Sequence, residues 1–436
     1  RDCLLSRGLG DVYKRQEILF LCVVIFLFLL AVFDLSVGVS NDAVNFLNSA
    51  IGSKAASFKR ILAVASIGVF IGAAMSNGMM DIARHGIFRP EQFSFYDLIC
   101  IFMAVMVTDI ILLDVFNTLG MPTSTTVSMV FELLGATFVV SLIKMASDTT
   151  GLGFNDLLNT EKALSVILGI FLSVIIAFFF GTVVQFLTRM IFSFDYRSKL
   201  KWKIGIYGGI CATAIVYFLL IKGTKDLTFM TPEVKAWIAA HTALIITGCL
   251  VGFTLLMQLL HALGVNVLKV VVLMGTFALA MAFAGNDLVN FIGVPVAGFD
   301  AYSIARHAGD STILMEGLNA SVPANFLVLM TAGVIMIVTL WTSKKAMHVT
   351  ETEISLSTQG ESETQYGSSL FSRTIVRAAL NASNAIDRTI PKRIRDKISS
   401  RFQYEDIEHS GAPYDMIRAT VCLLYTSPSP RDKRQS

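Results

Sequence analysis

Residues 41–46 have the sequence Asn-Asp-Ala-Val-Asn-Phe, and residues 286–291 repeat it as Asn-Asp-Leu-Val-Asn-Phe. The two copies agree at five of six positions, lie about 245 residues apart and each adjoin strongly apolar stretches. A carboxylate flanked by two amides is unfavourable in a bilayer unless a cation or hydrogen-bond donors meet it. The repeat therefore predicts one ion site, assembled from two related halves of a secondary transporter.

The chain as a whole is too apolar for a soluble globule. Of its 436 residues, 54% are hydrophobic and 15% are charged, and the mean hydropathy is +0.66. This composition predicts an all-α, polytopic helical membrane protein, because a helix that crosses about 30 Å of hydrocarbon needs roughly 20 apolar residues. Nine apolar runs approach that length: 17–38, 61–80, 98–118, 125–146, 163–192, 204–222, 236–260, 266–284 and 324–342.

Charged residues between these runs predict how the chain crosses the membrane. Lysine and arginine concentrate after the first, fifth and ninth runs, at 54–60, 197–203 and 344–345. By the positive-inside rule these loops are cytoplasmic, so we expect a multi-pass inner-membrane protein in contact with lipid, with its N-terminus outside. The net charge of +3, without a basic segment interleaved with aromatic residues, argues against nucleic acid as a partner.

The two ends differ from the rest of the chain. Residues 1–16 and 422–436 share the fragments Arg-Asp, Cys-Leu-Leu and Lys-Arg-Gln, so we expect both to be foreign, adaptor-like segments. We assign residues 17–222 to a first membrane repeat and residues 223–342 to part of a second one. Residues 343–421 are expected to form a polar cytoplasmic loop and the start of a further helix, so that the C-terminal part of the transporter is missing.

A third polar feature lies between the third and fourth apolar runs. Residues 120–126 read Gly-Met-Pro-Thr-Ser-Thr-Thr, which is typical of a helix start, because proline is accepted in the first turn and hydroxyl groups cap free N–H groups. A helix N-terminus with several hydroxyls and no fixed charge suits an oxyanion held in the membrane. Taken alone, the motif is as typical of an ordinary capped transmembrane helix.

The aspartates of the repeat predict a cation beside such an anion. At an effective dielectric constant of about 20, two unit charges of like sign about 4 Å apart repel each other by about 4 kcal/mol. Oxygen ligands from both copies suit Na⁺, while protonation of the aspartates suits H⁺, so either ion fits coupled symport. Na⁺ is placed at Asp42 and Asp287, and the cation and phosphate site comprises Asn41, Asp42, Asn45, Asn286, Asp287 and Asn290.

Together these motifs resemble the inorganic phosphate transporter (PiT) family of Na⁺- or H⁺-coupled phosphate symporters. The likeness covers roughly residues 17–342 and rests on the repeated Asn-Asp-x-x-Asn and on Gly-x-Pro-x-Ser-Thr-Thr. It implies a transporter rather than an enzyme, with inverted repeats, broken helices, a re-entrant hairpin and a homodimeric assembly. By this resemblance Ser124, Thr125 and Thr126 form the hairpin tip that contacts the phosphate.

The chain also departs from the family pattern. Val39-Ser40 stands where that pattern has Gly-Ala, and a second Pro-x-Ser-Thr-Thr motif is absent, so half of the anion site is expected to be missing. Four polar residues in or near apolar runs are candidates for supporting the rest of the site: Asp81, Asp114, Asn117 and Glu132.

Three alternatives stay open from the sequence. Sulfate is also a tetrahedral oxyanion, so a sulfate permease of the same fold is the nearest of them. An intramembrane aspartyl protease would require a Gly-x-Gly-Asp motif, whereas Asp287 stands in Gly-Asn-Asp. An ion channel is the third, although a duplicated aspartate motif favours alternating access over a pore lined by a ring of charges.

Overall fold

The computed structural model describes most of the chain. The described residues are 2–76, 86–147, 151, 153–193, 202–219, 231–319, 325–357, 391–402 and 412–426, with a few positions within 370–381. Side chains are described from Gln16 onward, except at 286, 289, 397, 399 and 424–426. Asp81, which the sequence places near the site, lies outside these residues, and so does the side chain of Asn286.

The first half of the chain is a succession of helices. These are α1 (Asp2–Asp42), α2 (Val44–Gly52), α3 (Phe58–Met75), α4 (Phe95–Thr118), α5 (Thr125–Ser147), α6 (Phe154–Leu157), α7 (Thr160–Ile191) and α8 (Lys203–Phe218). A capping box fixes the start of α4, because the Ser94 hydroxyl accepts from the Asp97 N–H at 3.3 Å and the Asp97 carboxylate accepts from the Ser94 N–H at 3.0 Å.

The second half is also helical. It contains α9 (Pro232–Ala240), α10 (Thr242–Ala262), α11 (Val267–Asn286), α12 (Leu288–Ala308), α13 (Phe326–Thr342), α14 (Lys344–Leu356), α15 (Lys392–Phe402) and α16 (Met416–Thr426). Within the described ranges the only strand-like pairings are two isolated bridges, Phe88 with Leu158 and Ser94 with Leu314. The predicted all-α fold class is confirmed.

Seven helical stretches are long and apolar enough to cross a membrane within the described part of the chain. They are Gln16–Gly52, Phe58–Met75, Phe95–Thr118, Thr125–Ser147, Thr160–Ile191, Thr242–Ala262 and Val267–Ala308. The pair α13 and α14, bent by 68°, makes an eighth if it is counted as one span. The chain is therefore a multi-pass membrane protein.

The predicted count of nine spans differs from this result for two reasons. The run 204–222 forms the helix α8 of only 16 residues, which is short for a membrane crossing. The run 324–342 forms α13 of 17 residues, which makes a span only if it is counted together with α14. The run 266–284 is retained as a span, but it continues beyond its predicted end into α12. Pro295 lies inside α12, where proline removes one backbone donor and ordinarily signals a helix end.

Two hydrophobic cores meet at the polar segment of α1. One core takes residues of α1 from Leu35 onward and packs them with α2, α3, α8, α11 and α13. The other takes residues of α1 up to Ala31 and packs them with α4, α5 and the part of α12 after Val294. On α1 the cores join between Ala31 and Leu35, and on α12 between Ile292 and Val294, so both copies of the repeated motif lie in the first core near this junction.

A stripe of small residues brings α3 against α11, just ahead of the second motif. Gly68 and Gly72 form a Gly-x-x-x-Gly pattern, which allows close approach of membrane helices. A Cβ atom on Gly68 would lie 2.6 Å from the Phe277 carbonyl oxygen, and one on Gly72 would overlap the Met281 carbonyl oxygen. One turn further, the Ser76 hydroxyl donates to the Gly285 carbonyl at 2.8 Å, so α3 supports the chain up to Asn286.

Candidate binding site

Each copy of the repeated motif interrupts a long helix at a single residue. Ala43 separates α1 from α2, and Asp287 separates α11 from α12. After each break the backbone makes a tight turn, in which the Phe46 N–H donates to the Ala43 carbonyl at 3.3 Å and the Asn290 N–H donates to the Asp287 carbonyl at 3.0 Å. Ala43 and Asp287 both keep right-handed helical dihedrals, so each copy forms a local irregularity within one long helical stretch.

In the first copy, Asn41 is fully buried and ties α1 to the connection between α4 and α5. Its side-chain amide donates to Asn117 Oδ1 at 2.7 Å and to the Met121 carbonyl at 3.1 Å. Its own oxygen accepts from the Thr123 N–H at 2.7 Å. Asn117 in turn donates to the Val37 carbonyl at 2.7 Å, so the side chain that accepts from Asn41 is itself bound to α1.

Two adjacent threonines at the start of α5 reach the two copies. The Thr125 hydroxyl donates to Asp42 Oδ2 at 2.6 Å in the first copy. The Asn290 amide of the second copy donates to the Thr126 hydroxyl at 2.9 Å. Residues that are 83 and 164 positions apart in the sequence thereby meet at one helix N-terminus.

The local structure of this hairpin tip differs in one detail from the expectation. The first helical residue of α5 is Thr125, so Pro122 lies before the helix and not in its first turn. Gly120 makes the turn with a left-handed φ of +68°, and a Cβ atom there would lie 2.8 Å from the ring of His348 and the hydroxyl of Thr352. The turn therefore requires glycine for its conformation and for its contact with α14.

Both copies pair their aspartate with the asparagine three residues later. Asn45 Nδ2 lies 3.5 Å from Asp42 Oδ1, and Asn290 Nδ2 lies 3.4 Å from Asp287 Oδ1. Asp42 is buried, whereas Asn45 is exposed and Asp287 and Asn290 are half-buried. The arrangement combines hard oxygen ligands, which suit Na⁺, with hydroxyl and amide donors, which suit an oxyanion.

Known protein families and solved structures show what this chain is similar to. The model of the phosphate transporter family matches residues 38–360, more than half of the chain and both copies of the motif. The chain belongs to the phosphate transporter family. A solved structure described as the sodium-dependent phosphate transporter has a similar fold, with a TM-score of 0.56 and 16% sequence identity, over 93% of this chain and 84% of that one. The curated proteins contain no match.

Membership of the phosphate transporter family confirms the predicted likeness to phosphate transporters. It places the chain among membrane transporters and not among enzymes, as the sequence indicated. An intramembrane aspartyl protease is therefore excluded as the class of this protein.

The other residues predicted to support the site differ in whether they contact it. Asn117 contacts Asn41 directly at 2.7 Å. Asp114 instead forms an ion pair with Lys345 of α14 at 2.6 Å, and both side chains are about half exposed. Glu132 lies two turns along α5, where its Oε1 accepts from the Ser128 hydroxyl at 3.4 Å.

Sequence reasoning did not select two other acids of α1 and α4. Asp34 and Asp109 are buried, with exposures of 1% and 4%. Their signal was present, since an ionisable residue inside an apolar run is rare and marks a functional position in most membrane proteins.

Proposed function

We propose that the protein carries inorganic phosphate across the inner membrane by symport with Na⁺. The observation that supports this most is a pair of hydrogen bonds at the start of α5. The Thr125 hydroxyl donates to Asp42, and the Asn290 amide donates to the Thr126 hydroxyl. A substrate bound at this helix end is in reach of both halves of the chain, which is the arrangement that alternating access requires.

The phosphate is assigned to the N-terminus of α5. Ser124, Thr125 and Thr126 supply hydroxyl groups there, and the first-turn N–H groups of α5 point along the helix axis toward the same end. The partial positive charge of a helix N-terminus replaces part of the hydration of an anion. Asn41 donates to the Met121 carbonyl and accepts from the Thr123 N–H, and these two hydrogen bonds keep this end fixed relative to α1.

The coupling ion is assigned to Asp42 and Asp287. Both oxygens of Asp42 lie near donors, with Thr125 at 2.6 Å and Asn45 at 3.5 Å, an environment that suits a carboxylate rather than a carboxylic acid. Two ionised aspartates beside phosphate require a cation between them, and carboxylate and amide oxygens are ligands that Na⁺ accepts. The sodium-dependent transporter of similar fold supports Na⁺ over H⁺ at this position.

The experiment is uptake of ³²P-phosphate into proteoliposomes that contain the purified chain. An inward Na⁺ gradient, an inward H⁺ gradient and no gradient are imposed in parallel, with sulfate as competitor. We expect saturable uptake that requires the Na⁺ gradient and resists excess sulfate. Uptake that sulfate abolishes would assign the protein to sulfate instead, and flux that does not saturate would indicate a channel.

We propose the same orientation that the loop charges predict, with the N-terminus outside and residues 343–421 in the cytoplasm. Single cysteines placed at Ser357 and at Asn155, in a background without reactive cysteines, test it with a membrane-impermeant maleimide on intact cells. Protection of position 357 until the membrane is permeabilised is the expected result. Labelling of position 357 in intact cells would reverse the assignment.

A further inference from the structure

Three acids from three helices converge two turns away from the proposed substrate site. Asp34 of α1 contacts Asp109 of α4 through their carboxyl groups, and Glu132 of α5 acts on both of them electrostatically. The Ser128 hydroxyl lies between α4 and α5, where it interacts with Asp109 and with Glu132. We call Asp34, Asp109 and Glu132 the acid cluster.

The acid cluster has oxygen atoms that nothing in the described structure satisfies. Asp34 Oδ1, Asp109 Oδ1 and Glu132 Oε2 are shielded from solvent and have no hydrogen-bond partner. Asp34 is 1% exposed, so its free oxygen points into the protein. A buried carboxylate without a partner is strongly disfavoured, which means that something must neutralise these oxygens.

No basic side chain performs this neutralisation among the described residues. Lysines near α4 and α5 are engaged elsewhere, since Lys144 pairs with Asp97 at 3.4 Å and Lys345 pairs with Asp114 at 2.6 Å. The titratable groups that act on Asp34 are all acids: Asp109 on α4, Glu132 on α5 and Asp42 further along α1. Like charges this close do not all remain ionised.

The spacing of the acid cluster relates it to the substrate site. Asp34 precedes Asp42 by eight residues, Asp109 precedes Asn117 by eight, and Glu132 follows Thr125 by seven, all counted on continuous helices. Two turns of helix rise about 11–12 Å. The three helices α1, α4 and α5 thus carry two polar layers, with the acid cluster one layer below the contacts of Asn41, Asp42 and Thr125.

The acid cluster is not duplicated in the second half of the chain. Eight residues before Asp287 stands Leu279, where the first copy has Asp34. Leu279 packs against the hydrophobic core. The equivalent of Asp34 in the second copy is therefore an apolar residue, so the two copies differ at this position.

The group that fits two carboxyl groups in contact, Asp34 and Asp109, is a proton. Two carboxyl groups in direct contact are the arrangement in which one proton is shared, as a carboxylic acid that donates to a neighbouring carboxylate. Binding one proton here removes one negative charge from the layer below Asp42.

We propose that the acid cluster is a proton-binding site, separate from the Na⁺ and phosphate site, that takes up and releases a proton as the transporter passes through its cycle. The proton binds between Asp34 and Asp109, and Glu132 with Ser128 accepts or returns it. This assignment rests on the proposed function for its coupling to phosphate, but the proton site itself is measurable without transport.

The test compares Asp34→Asn, Asp109→Asn and Glu132→Gln with a matched control, Asp97→Asn, an acid of α4 that already has Lys144 as partner. Infrared difference spectra of the purified chain in lipid, recorded across pH, report the carbonyl stretch of protonated carboxylic acids. A pH-sensitive dye trapped in proteoliposomes reports proton entry when phosphate and Na⁺ are added. Thermal unfolding in detergent identifies any variant that does not fold.

We expect the wild-type chain to show a titrating carboxylic acid band and proton entry during phosphate uptake. Both signals are lost in Asp34→Asn and Asp109→Asn, are weakened in Glu132→Gln, and persist in Asp97→Asn. A band and a proton signal that survive in folded Asp109→Asn would overturn the proposal. If no variant or wild-type sample transports phosphate, the proposed function fails, and the infrared titration alone decides whether the acid cluster binds a proton.

Discussion

The two copies of the Asn-Asp-x-Val-Asn-Phe motif have nearly the same sequence but different surroundings. In the first copy, Asn41 makes one hydrogen bond to α4 and two to the α4–α5 connection, and the buried Asp42 accepts from Thr125. In the second copy, Asn290 reaches the same hairpin through the single hydroxyl of Thr126, while Asp287 is only half-buried. Among the described side chains, Asn41 and Asp42 thus make more hydrogen bonds to α4, α5 and their connection than Asn290 does.

Because of this difference, we expect the two copies of the motif to contribute differently to the transport cycle. Groups with fixed partners are pre-organised for ligands, whereas a contact made by one hydrogen bond is readily broken and remade. We infer that α11 and α12 move relative to α5 when access alternates, and that the contact of Asn290 with Thr126 is among those that change. The following substitutions test the comparison, starting with the largest expected effect.

The aspartates should be indispensable in both copies. Asp42→Asn and Asp287→Asn each remove one unit of negative charge from the proposed cation site while they keep the side-chain shape. A charged interaction of about 3 kcal/mol corresponds to a loss of roughly a hundredfold in Na⁺ affinity. We expect phosphate uptake at ordinary Na⁺ concentrations to fall to the background of empty liposomes in both variants.

A matched control for these variants is Asp156→Asn, an exposed acid that caps the start of the short helix α6. It should transport as the wild-type chain does. If Asp42→Asn abolished uptake but Asp287→Asn did not, the second copy would have no part in cation binding, and the two-half site would be wrong.

The packing of α3 on α11 should be the most sensitive structural support of the second copy. In Gly72→Ala the added methyl group overlaps the Met281 carbonyl, which is backbone and cannot rotate away. Overpacking of this kind destabilises by about 1–3 kcal/mol. Gly169→Ala on α7 is the control, since a Cβ atom there meets nothing within 4 Å.

The measurement for this pair is thermal unfolding in detergent together with Na⁺-driven uptake. We expect Gly72→Ala to unfold at a lower temperature and to transport less, while Gly169→Ala matches or slightly exceeds the wild type. Equal unfolding temperatures in the two variants would mean that α3 and α11 can move apart without loss of stability, which would contradict the importance of their close approach.

The two threonines of the hairpin tip allow a direct comparison of the copies. Thr125→Ala removes a hydroxyl that bonds a buried carboxylate, whereas Thr126→Ala removes one that bonds a half-buried amide. Hydrogen bonds to charged groups contribute about 1.5–3 kcal/mol and neutral ones about 1 kcal/mol. We expect the affinity for Na⁺ and phosphate to fall further in Thr125→Ala, by roughly ten- to a hundredfold against roughly fivefold in Thr126→Ala.

Uptake measured over a range of Na⁺ and phosphate concentrations separates these effects. Thr125→Ser restores the hydroxyl and should recover most of the lost affinity. A larger effect in Thr126→Ala than in Thr125→Ala would contradict the view that the first copy is the more firmly built one.

Much of this architecture was predictable from the sequence, for physical reasons that can be stated. Asn41 and Asp42 stood out because a repeated polar motif in apolar surroundings needs partners, and Asn117 because it is a polar residue in an apolar run. Thr125 was assigned from the helix-start motif and its resemblance to the family pattern. Helix α12 was missed, since Pro295 and the glycines around it imitate a helix end. The acid cluster was also missed, because Asp34, Asp109 and Glu132 meet only when three helices pack.

Residues 343–421 show a further limit of prediction from composition. Polar residues indicated a loop, yet Lys344–Leu356 forms α14, which buries Ala346, Val349 and Thr350. The Ser40 and Ser343 hydroxyls lie 2.7 Å apart, so the start of α14 touches the residue just before the first motif. Amphipathic helices that dock on a scaffold have ordinary polar composition, and only their partner reveals the buried face.

The smallest effect is expected where α14 meets α4. Lys345 pairs with Asp114 at 2.6 Å, but the side chains are 45% and 49% exposed, and pairs this exposed contribute about 0–1 kcal/mol. Lys345→Ala should therefore change the unfolding temperature and the uptake rate little, and any change should shrink further in high salt. Other contacts, by contrast, already fix α14 beside the first motif, through its buried residues Ala346, Val349 and Thr350 and through the hydrogen bond between Ser343 and Ser40. A strong loss of transport in Lys345→Ala, with normal unfolding, would mean that this ion pair holds one conformation of the cycle, and the first copy would then be less rigid than its buried hydrogen bonds indicate.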